Sequence, residues 1–152
     1  MPKKVYQAGP LFTEAERLWH LKLKTNLEDS GFLVGWPGEW FDHGDLGDMG
    51  HKAKEHIFKV CRANLDTSDL VVALLDGTQV DDGTAWEIGY AFAKGIPVYG
   101  IRTDFRNAGD TEHSLVNAMI ECACEEVVGS VAELLDRLKF VQAKEAETTQ
   151  IH

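Results

Sequence analysis

Short runs of consecutive apolar residues alternate along the chain with segments whose apolar residues recur at helical spacing. The clearest example lies in the middle, where an apolar run at residues 70–75 precedes an acidic, glycine-containing stretch at residues 76–83. Residues 84–94 then carry small and apolar side chains at helical spacing, and a second apolar run covers residues 96–101. This pattern predicts a buried strand, a loop, a helix and a second buried strand. In such units, ligands bind at the carboxyl end of the strand, beside the start of the helix.

The same alternation extends over the rest of the chain. It predicts strands at residues 3–8, 32–36, 70–75, 96–101 and 125–128, and helices at residues 13–30, 51–66, 84–94, 114–122 and 130–140. This order indicates an α/β protein, a flavodoxin-like three-layer sandwich with a five-stranded parallel sheet. Residues 36–50 are predicted to be irregular. Residues 1–140 are expected to form one domain, and residues 141–152 a polar, frayed C-terminal tail.

Two of the predicted helices have an inner face that the spacing of their apolar residues identifies. In the first helix this face carries Ala15, Leu18, Trp19, Leu23 and Leu27. In the helix at residues 51–66 it carries Ile57, Val60, Cys61 and Leu65. Both faces are expected to pack on the sheet.

Composition and charge exclude several classes of function. The 152 residues are 44% hydrophobic and 26% charged, which is ordinary for a soluble domain, and the formal net charge is −10. Such acidity argues against nucleic acid or an anionic membrane as a partner. No apolar stretch is long enough to span a bilayer, and the first residues lack the apolar region of a secretory signal. We therefore expect a cytoplasmic protein.

Metal and cofactor motifs are absent from the sequence. The three cysteines have no metal-ligand spacing, and the six histidines form no H-E-x-x-H cluster. Neither G-x-G-x-x-G nor G-x-x-x-x-G-K-[ST] is present. We expect neither a metal nor a cofactor.

Three acidic residues lie near the expected ligand edge of the central unit. Glu87 is placed in the first turn of the predicted helix, and Asp81 and Asp82 come in the loop before it. Carboxylates held close together raise one another's pKa, as in an active site. The alternative is that they only stabilise the helix dipole. Tyr6, near the carboxyl end of the first strand, is a further candidate, or else a buried structural tyrosine.

Two other positions allow both a functional and a structural interpretation. Gly9, after the first strand, permits either a close backbone approach to a ligand or a plain tight turn. Trp36 begins the irregular segment. Its ring could stack on a flat heterocycle or simply cover the end of the sheet.

Four sequence segments, in this order and spacing, match one known family. They are V-Y-Q-A-G-P-L-F at the first strand, S-D-L-V-V-A-L-L-D-G at the third, D-D-G-T-A-W-E-I-G-Y-A after it, and N-A-M from Asn117 to Met119. With these segments the chain resembles the nucleoside 2-deoxyribosyltransferases, from Val5 to about Leu138. A G-T-x-x-E fragment alone would be weak, but the four segments together are specific.

The resemblance implies a chemistry for the acidic residues. Glu87 matches the family nucleophile, which attacks C1′ of the deoxyribose and forms a covalent intermediate. Asp81 matches the aspartate that meets the base, and Tyr6 matches the tyrosine that orients the nucleophile. The substrates would be a 2′-deoxynucleoside and a free nucleobase, with slow hydrolysis as a side reaction.

The resemblance also implies how substrate is held. Asn117 and Met119 match residues that reach into a neighbouring subunit's site, so a homo-oligomer is expected. Gly9 and Gly83 would give the substrate close access to the backbone. Asp82 and Trp36 complete the predicted substrate-binding set.

One position departs from the family pattern. Family members often carry Asp or Asn at the position of Cys61, where the side chain touches the sugar, and a thiol is a poor acceptor for a sugar hydroxyl. Either Asn64 or Asp66 replaces it, or the selectivity for the sugar differs.

Two other functions remain open. Relatives that hydrolyse nucleoside 5′-monophosphates present serines and an arginine to the phosphate, around the first loop and at the position of Asn117. The first loop here, G-P-L-F-T-E, contains neither, and the amide of Asn117 suits a neutral 5′-hydroxyl. Transfer between free nucleosides is therefore favoured over 2′-deoxynucleoside 5′-monophosphate N-glycosidase activity. The other alternative is a non-catalytic nucleoside- or nucleotide-binding module. The joint presence of Tyr6, Asp81 and Glu87 argues against it.

Overall fold

The computed structural model describes residues 1–149, apart from the side chains of residues 144–146. Five parallel strands form its sheet: β1 (Lys4–Ala8), β2 (Leu33–Gly35), β3 (Leu70–Leu74), β4 (Val98–Ile101) and β5 (Glu126–Val128). Their order across the sheet is β2-β1-β3-β4-β5. This is the flavodoxin-like order, so the predicted fold class is confirmed.

Helices cover both faces of this sheet. In chain order they are α1 (Glu14–Asp29), α2 (His43–Met49), α3 (Ala53–Asp66), α4 (Asp82–Ala93), α5 (Ala118–Glu121) and α6 (Val131–Thr149). Because successive strand residues point to opposite faces, the side chains of the strands contribute to two separate hydrophobic cores. Val5 and Val72 pack with α1 and α6 on one face, whereas Tyr6 and Val71 pack with α3 and α4 on the other.

The inner face of α1 differs from the predicted one. Leu23 and Leu27 are buried as expected, but Leu18 is 60% exposed and His20 is buried in its place. The prediction for Leu18 is wrong because spacing of apolar residues cannot find a polar residue that is buried. His20 tolerates burial because it meets a polar partner on the sheet, Gln7.

The segment at residues 36–50 is more regular than predicted. Its middle forms α2, where the Asp42 carboxylate caps the helix by accepting a hydrogen bond from the Gly44 amide at 2.7 Å. Short 3₁₀ turns flank α2 at Pro37–Glu39 and Gly50–Lys52. The aspartates and glycines that suggested a loop thus begin and end short helices.

The last helix is longer than predicted. The expected end at residue 140 is wrong, because α6 continues to Thr149. The residues after position 140 include Gln, Lys, Glu and Ala, all good helix formers. The domain boundary at residue 140 stays a prediction, and residues 150–152 of the predicted tail lie outside the described residues.

The strand order fixes where a ligand can bind. The neighbouring strands β1 and β3 lead into helices on opposite faces of the sheet, α1 after β1 and α4 after β3. A crevice therefore opens at their carboxyl ends, between the two diverging connections. No helix within residues 1–149 is both long and apolar enough to cross a membrane.

Candidate active site

A cavity of about 610 Å³ lies at this crevice, a size suited to a small-molecule ligand. The loop after β1, helices α2 and α3, and the first half of α4 line it. Of the residues predicted to form a site, Gly9, Asp81, Gly83 and Glu87 line the cavity.

Glu87 is joined to the sheet by one hydrogen bond. The hydroxyl of Tyr6 on β1 donates to Oε2 of Glu87 on α4. Within the described residues, Oε1 of Glu87 accepts no hydrogen bond, and Glu87 lines the cavity. The predicted placement in the first turn is wrong, because α4 begins at Asp82 and puts Glu87 in its second turn. The helix-dipole alternative therefore does not explain Glu87.

Burial controls the protonation of this pair. Desolvation raises the pKa of Glu87 to about 7, the hydrogen bond from Tyr6 opposes this shift, and the negative charge of Asp81 adds to it. Desolvation, together with the nearby Glu87 charge, holds the pKa of the Tyr6 hydroxyl far above its usual value. Tyr6 is therefore a neutral donor, and Glu87 changes its charge near neutral pH.

Asp81 and Asp82, the other two predicted acids, differ in their positions relative to the cavity. Asp81 lines the cavity and is also the N-cap of α4, where its Oδ2 accepts hydrogen bonds from the amide and the hydroxyl of Thr84, both at 3.0 Å. Asp82 is exposed, and its Oδ1 accepts from the Gly83 amide at 2.7 Å. Asp82 does not line the cavity, so two of the three predicted acids come together there.

Gly9 occupies a position that only glycine fits well. Its φ of 151° lies in a region that other residues rarely adopt, and a Cβ there would come within 2.6 Å of His20 Nε2. Trp36 does not line the cavity. It is 3% exposed and stacks on His20 with the ring centroids 5.6 Å apart. The position of Trp36 fits the alternative of a ring that covers the end of the sheet.

Asn117 and Met119 do not reach the cavity of their own chain. The Asn117 side chain caps α5 by accepting from the Met119 amide at 3.0 Å, and it donates to Asp110 at 3.2 Å. Met119 is 82% exposed. Neither residue therefore contributes to the cavity of its own chain.

The aromatic walls of the cavity were missed in the sequence. Phe12, Phe41, Phe58 and Trp86 line it from four separate parts of the chain. Trp86 meets Phe58 edge to face with centroids 5.4 Å apart. Trp86 lies directly before Glu87 in the matching segment, which was the one signal in the sequence for this wall.

Two basic side chains of the cavity were also missed. Arg17 and Lys54 line it and are exposed, whereas Asp81 and Glu87 are partly buried, so the positive charges lie toward solvent. Arg17 follows the first loop rather than lying in it. Its guanidinium folds back and donates to the Phe12 carbonyl at 2.8 Å.

Cys61 occupies the cavity wall, as its alignment with the family predicts. Its thiol lies close to Tyr6 and Glu87, and burial raises its pKa. The two proposed substitutes are elsewhere. Asn64 accepts from Lys4 Nζ at 3.2 Å, and Asp66 accepts from the Tyr90 hydroxyl at 2.6 Å. Neither lines the cavity, so the thiol has no polar replacement from those two positions.

The loop that carries Asp81 is tied by hydrogen bonds to the residues just after β4. Arg102, buried just after this strand, donates from Nη1 to the Leu75 carbonyl at 2.6 Å and the Gly77 carbonyl at 3.2 Å. Asp76 in return accepts from the Thr103 amide at 2.6 Å. The loop after β3 and the loop after β4 therefore hold each other in place. As for metals, no group of three or more His, Cys, Asp or Glu side chains in the described residues is arranged to hold one.

A family model described as nucleoside 2-deoxyribosyltransferase matches residues 5–119 of this chain. The match covers most of the chain and contains Tyr6, Asp81 and Glu87. The chain belongs to this family. Membership in the nucleoside 2-deoxyribosyltransferases supports a deoxyribosyltransferase-like activity on nucleosides and nucleobases.

Three similar proteins were found, and the two with solved structures share this fold. A solved structure of a conserved protein from Enterococcus faecalis is 31% identical, covers 91% of this chain and 98% of that chain, and superposes with a TM-score of 0.76. A 2-deoxyribosyltransferase from Bacillus psychrosaccharolyticus shares the fold at 22% identity, covering 87% of this chain and 90% of that one, with a TM-score of 0.71. An uncharacterised protein from Ureaplasma parvum is 28% identical over 138 residues, which are 80% of this chain and 85% of that protein.

The raised pKa of Glu87 predicts a pH-dependent stability cost in this transferase-family protein. Its pKa rises from 4.5 to about 7 on folding, so the native state binds more protons, and stability falls as pH rises between these values. Glu87→Gln removes the cost. We expect the variant to be more stable than wild type by about 1–3 kcal/mol at pH 8, and equally stable near pH 4.

Urea unfolding at both pH values measures this difference. Glu125→Gln, at an exposed position, is the matched control and should change stability little at either pH. A Glu87→Gln protein less stable than wild type at pH 8 would contradict the buried-charge cost.

Proposed function

We propose that the protein transfers 2-deoxyribose between nucleobases by a retaining double displacement, with Glu87 as the nucleophile. The observation that carries this proposal is the hydrogen bond from Tyr6 to Glu87 at the wall of the cavity. It fixes one carboxylate oxygen and leaves the other available to a ligand. A carboxylate with one fixed and one open oxygen is the arrangement that attack on an anomeric carbon requires.

In the first half-reaction, Oε1 of Glu87 attacks C1′ of the bound 2′-deoxynucleoside. The C1′–N bond breaks, its electron pair leaves with the base, and an ester forms between Glu87 and the sugar. The transition state carries positive charge on the sugar, which the carboxylate stabilises at close range. Tyr6 is suited to this step, because a neutral hydroxyl orients the carboxylate without cancelling its charge.

In the second half-reaction, another base attacks C1′ from the opposite side and Glu87 leaves as a carboxylate. Two inversions return the original configuration at C1′. Water can take the place of the incoming base, so slow hydrolysis accompanies transfer. Neither a metal nor a cofactor is needed in this scheme.

Asp81 is proposed to meet the base. One carboxylate oxygen of Asp81 caps α4, and Asp81 lines the cavity. Asp81 would hydrogen-bond a ring nitrogen of the base and pass a proton to the leaving base as the glycosidic bond breaks, then take one back from the incoming base. The aromatic walls, with Trp86 and Phe58, would then stack on the flat base. Gly9 and Gly83 would bring the backbone close to the substrate.

A homo-oligomer with sites completed across subunits is the second part of the proposal. Met119 is 82% exposed although it is apolar, and Asn117 holds it at the start of α5. An exposed methionine beside a capped helix start is a suitable element to insert into a neighbour's cavity. The cytoplasmic location remains a prediction from the sequence.

The exposed Arg17 and Lys54 favour a second candidate, hydrolysis of 2′-deoxynucleoside 5′-monophosphates. Positive side chains at the mouth of a cavity in a chain of net charge −10 would suit a 5′-phosphate. The sequence argument against this candidate rested on the first loop and on Asn117, and it did not include these two side chains. The transfer proposal still leads, because the Arg17 guanidinium is already engaged with the backbone and donates to the Leu11 and Phe12 carbonyls at 3.2 and 2.8 Å.

Glu87→Ala is expected to abolish base exchange. Incubated with 2′-deoxyinosine and adenine, wild type should form 2′-deoxyadenosine, whereas Glu87→Ala should be slower by about a thousandfold or more. Chromatography measures the products, and mass spectrometry of acid-quenched wild type should show one added deoxyribosyl group. Glu125→Ala is the control.

Retention of activity within tenfold by Glu87→Ala would contradict the mechanism. Release of hypoxanthine only from 2′-deoxyinosine 5′-monophosphate would support the N-glycosidase and assign the phosphate to Arg17 and Lys54. Binding of nucleoside by wild type with no turnover of any donor would leave a binding module.

Tyr6→Phe should shift the pH profile of the reaction. Activity needs ionised Glu87, so kcat/KM of wild type should rise with pH through about 7. Removing the hydroxyl removes the interaction that lowers the pKa of Glu87, so the rise should move to higher pH. We expect kcat/KM at pH 7 to fall by about 10–100-fold. Tyr90→Phe is the matched control. The Tyr90 hydroxyl donates to Asp66 with a distance of 2.6 Å, and neither residue lines the cavity.

Subunit complementation tests the shared site. Glu87→Ala and Met119→Glu should each be inactive alone, but mixed oligomers should contain intact sites and recover about a quarter of wild-type activity. Phe105→Glu, at another exposed apolar position, is the control and should remain active. Full activity of Met119→Glu by itself would contradict completion of the site by this residue.

A further inference from the structure

A buried polar cluster lies directly behind the wall of the cavity, between α1 and β1. Gln7 and His20 are both 0% exposed, and Trp36 stacks on the His20 ring. Within the described residues, Gln7 Oε1, His20 Nε2 and Trp36 Nε1 have no hydrogen-bond partner. Buried polar atoms of this kind cost stability, so their presence here requires an explanation.

The hydrogen bonds of Gln7 determine the form of His20. The Gln7 amide nitrogen lies 2.9 Å from the His20 carbonyl oxygen, so it must be the NH₂ group and not the oxygen. The same nitrogen lies 2.8 Å from His20 Nδ1. Nδ1 therefore accepts, and in the neutral ring the proton resides on Nε2.

Nε2 faces the backbone of Gly9. A Cβ on Gly9 would come within 2.6 Å of Nε2 and 2.7 Å of Cε1, so the edge of the imidazole rests against the Gly9 Cα. Burial lowers the pKa of His20 to about 4, although the Pro10 backbone and the Glu16 charge oppose the shift. The ring is neutral at neutral pH and supports the loop without adding charge near Glu87.

The cluster also fixes the strand that carries Tyr6. Successive residues of β1 point to opposite faces, so Gln7 points toward α1 while Tyr6 points toward Glu87 on α4. Holding Gln7 on one side of the strand restrains the rotation of its last residues. The orientation of Tyr6 on the other side depends on that rotation.

We propose that His20 is a positioning residue for the transfer reaction: its neutral imidazole supports the Gly9–Pro10 backbone at the substrate and, through Gln7, the end of β1 that carries Tyr6. His20 touches neither substrate nor the reacting atoms. This inference rests on the proposed function for its kinetic part and on the cluster itself for its structural part.

Two substitutions separate positioning from folding. His20→Phe keeps a flat aromatic ring, slightly larger than imidazole, against Trp36 but removes both nitrogens. We expect kcat/KM for the deoxynucleoside to fall by about 10–100-fold, with the larger share in KM, because the backbone at Gly9 shifts. His20→Gln restores an acceptor for Gln7 and a donor toward Gly9, and it should recover at least about tenfold of that loss.

Leu18→Ala, exposed on the same helix, should leave kinetics unchanged. His20→Phe with kcat/KM within about threefold of wild type would overturn the proposal. The proposal would also be overturned if His20→Phe and His20→Gln lost kcat/KM equally and in proportion to their losses in melting temperature. That result would indicate an effect on folding alone.

A second measurement does not depend on turnover. Nitrogen-15 NMR of the His20 ring should show the neutral form with the proton on Nε2 between pH 5 and 8, and a proton on Nδ1 would overturn the proposal. Calorimetric binding of 2′-deoxyinosine to Glu87→Ala should weaken by about tenfold when His20→Phe is added. If wild type binds the nucleoside but turns over no donor, the proposed function fails while these two results still decide the role of His20.

Discussion

A single hydrogen bond between a neutral tyrosine and a partly desolvated carboxylate joins the two halves of this site. Burial makes the charge on Glu87 costly, and a cationic partner would remove that cost but would also neutralise the charge. The Tyr6 hydroxyl lowers the pKa without neutralising the charge, which leaves Glu87 able to ionise near pH 7. The fold must therefore hold the end of β1 and the second turn of α4 at hydrogen-bonding distance.

The elements around this bond all restrain its two ends. On the β1 side, α1 supplies His20 beneath Gly9. On the α4 side, Asp81 caps the helix that carries Glu87, and Arg102 ties the preceding loop to the sheet. Each of these contacts is a hydrogen bond or close packing to backbone atoms, so the side chains that hold the site are themselves fixed on the backbone.

The fold could be predicted from the sequence because it depends on local patterns, and part of the cavity lining could be predicted because the matched segments carry it. The apolar runs gave the strands, and the matched segments contain Tyr6, Asp81, Gly83 and Glu87. Leu18 and His20 could not be placed correctly, because burial of a histidine depends on a partner, Gln7, that only tertiary structure supplies. The aromatic and basic walls of the cavity come from distant segments with no common spacing, so no pattern in the chain brings them together.

The walls and the cores of this molecule are made by different residues. Phe41 on the segment before α2, Leu46 on α2 and Phe58 on α3 line the cavity, and all three lie outside the buried clusters on either face of the sheet. The stretch that carries them contributes no strand. Changes there can reshape the space around a base while the packing that holds Tyr6 against Glu87 stays as it is. Such a molecule can acquire a new substrate preference without first giving up stability.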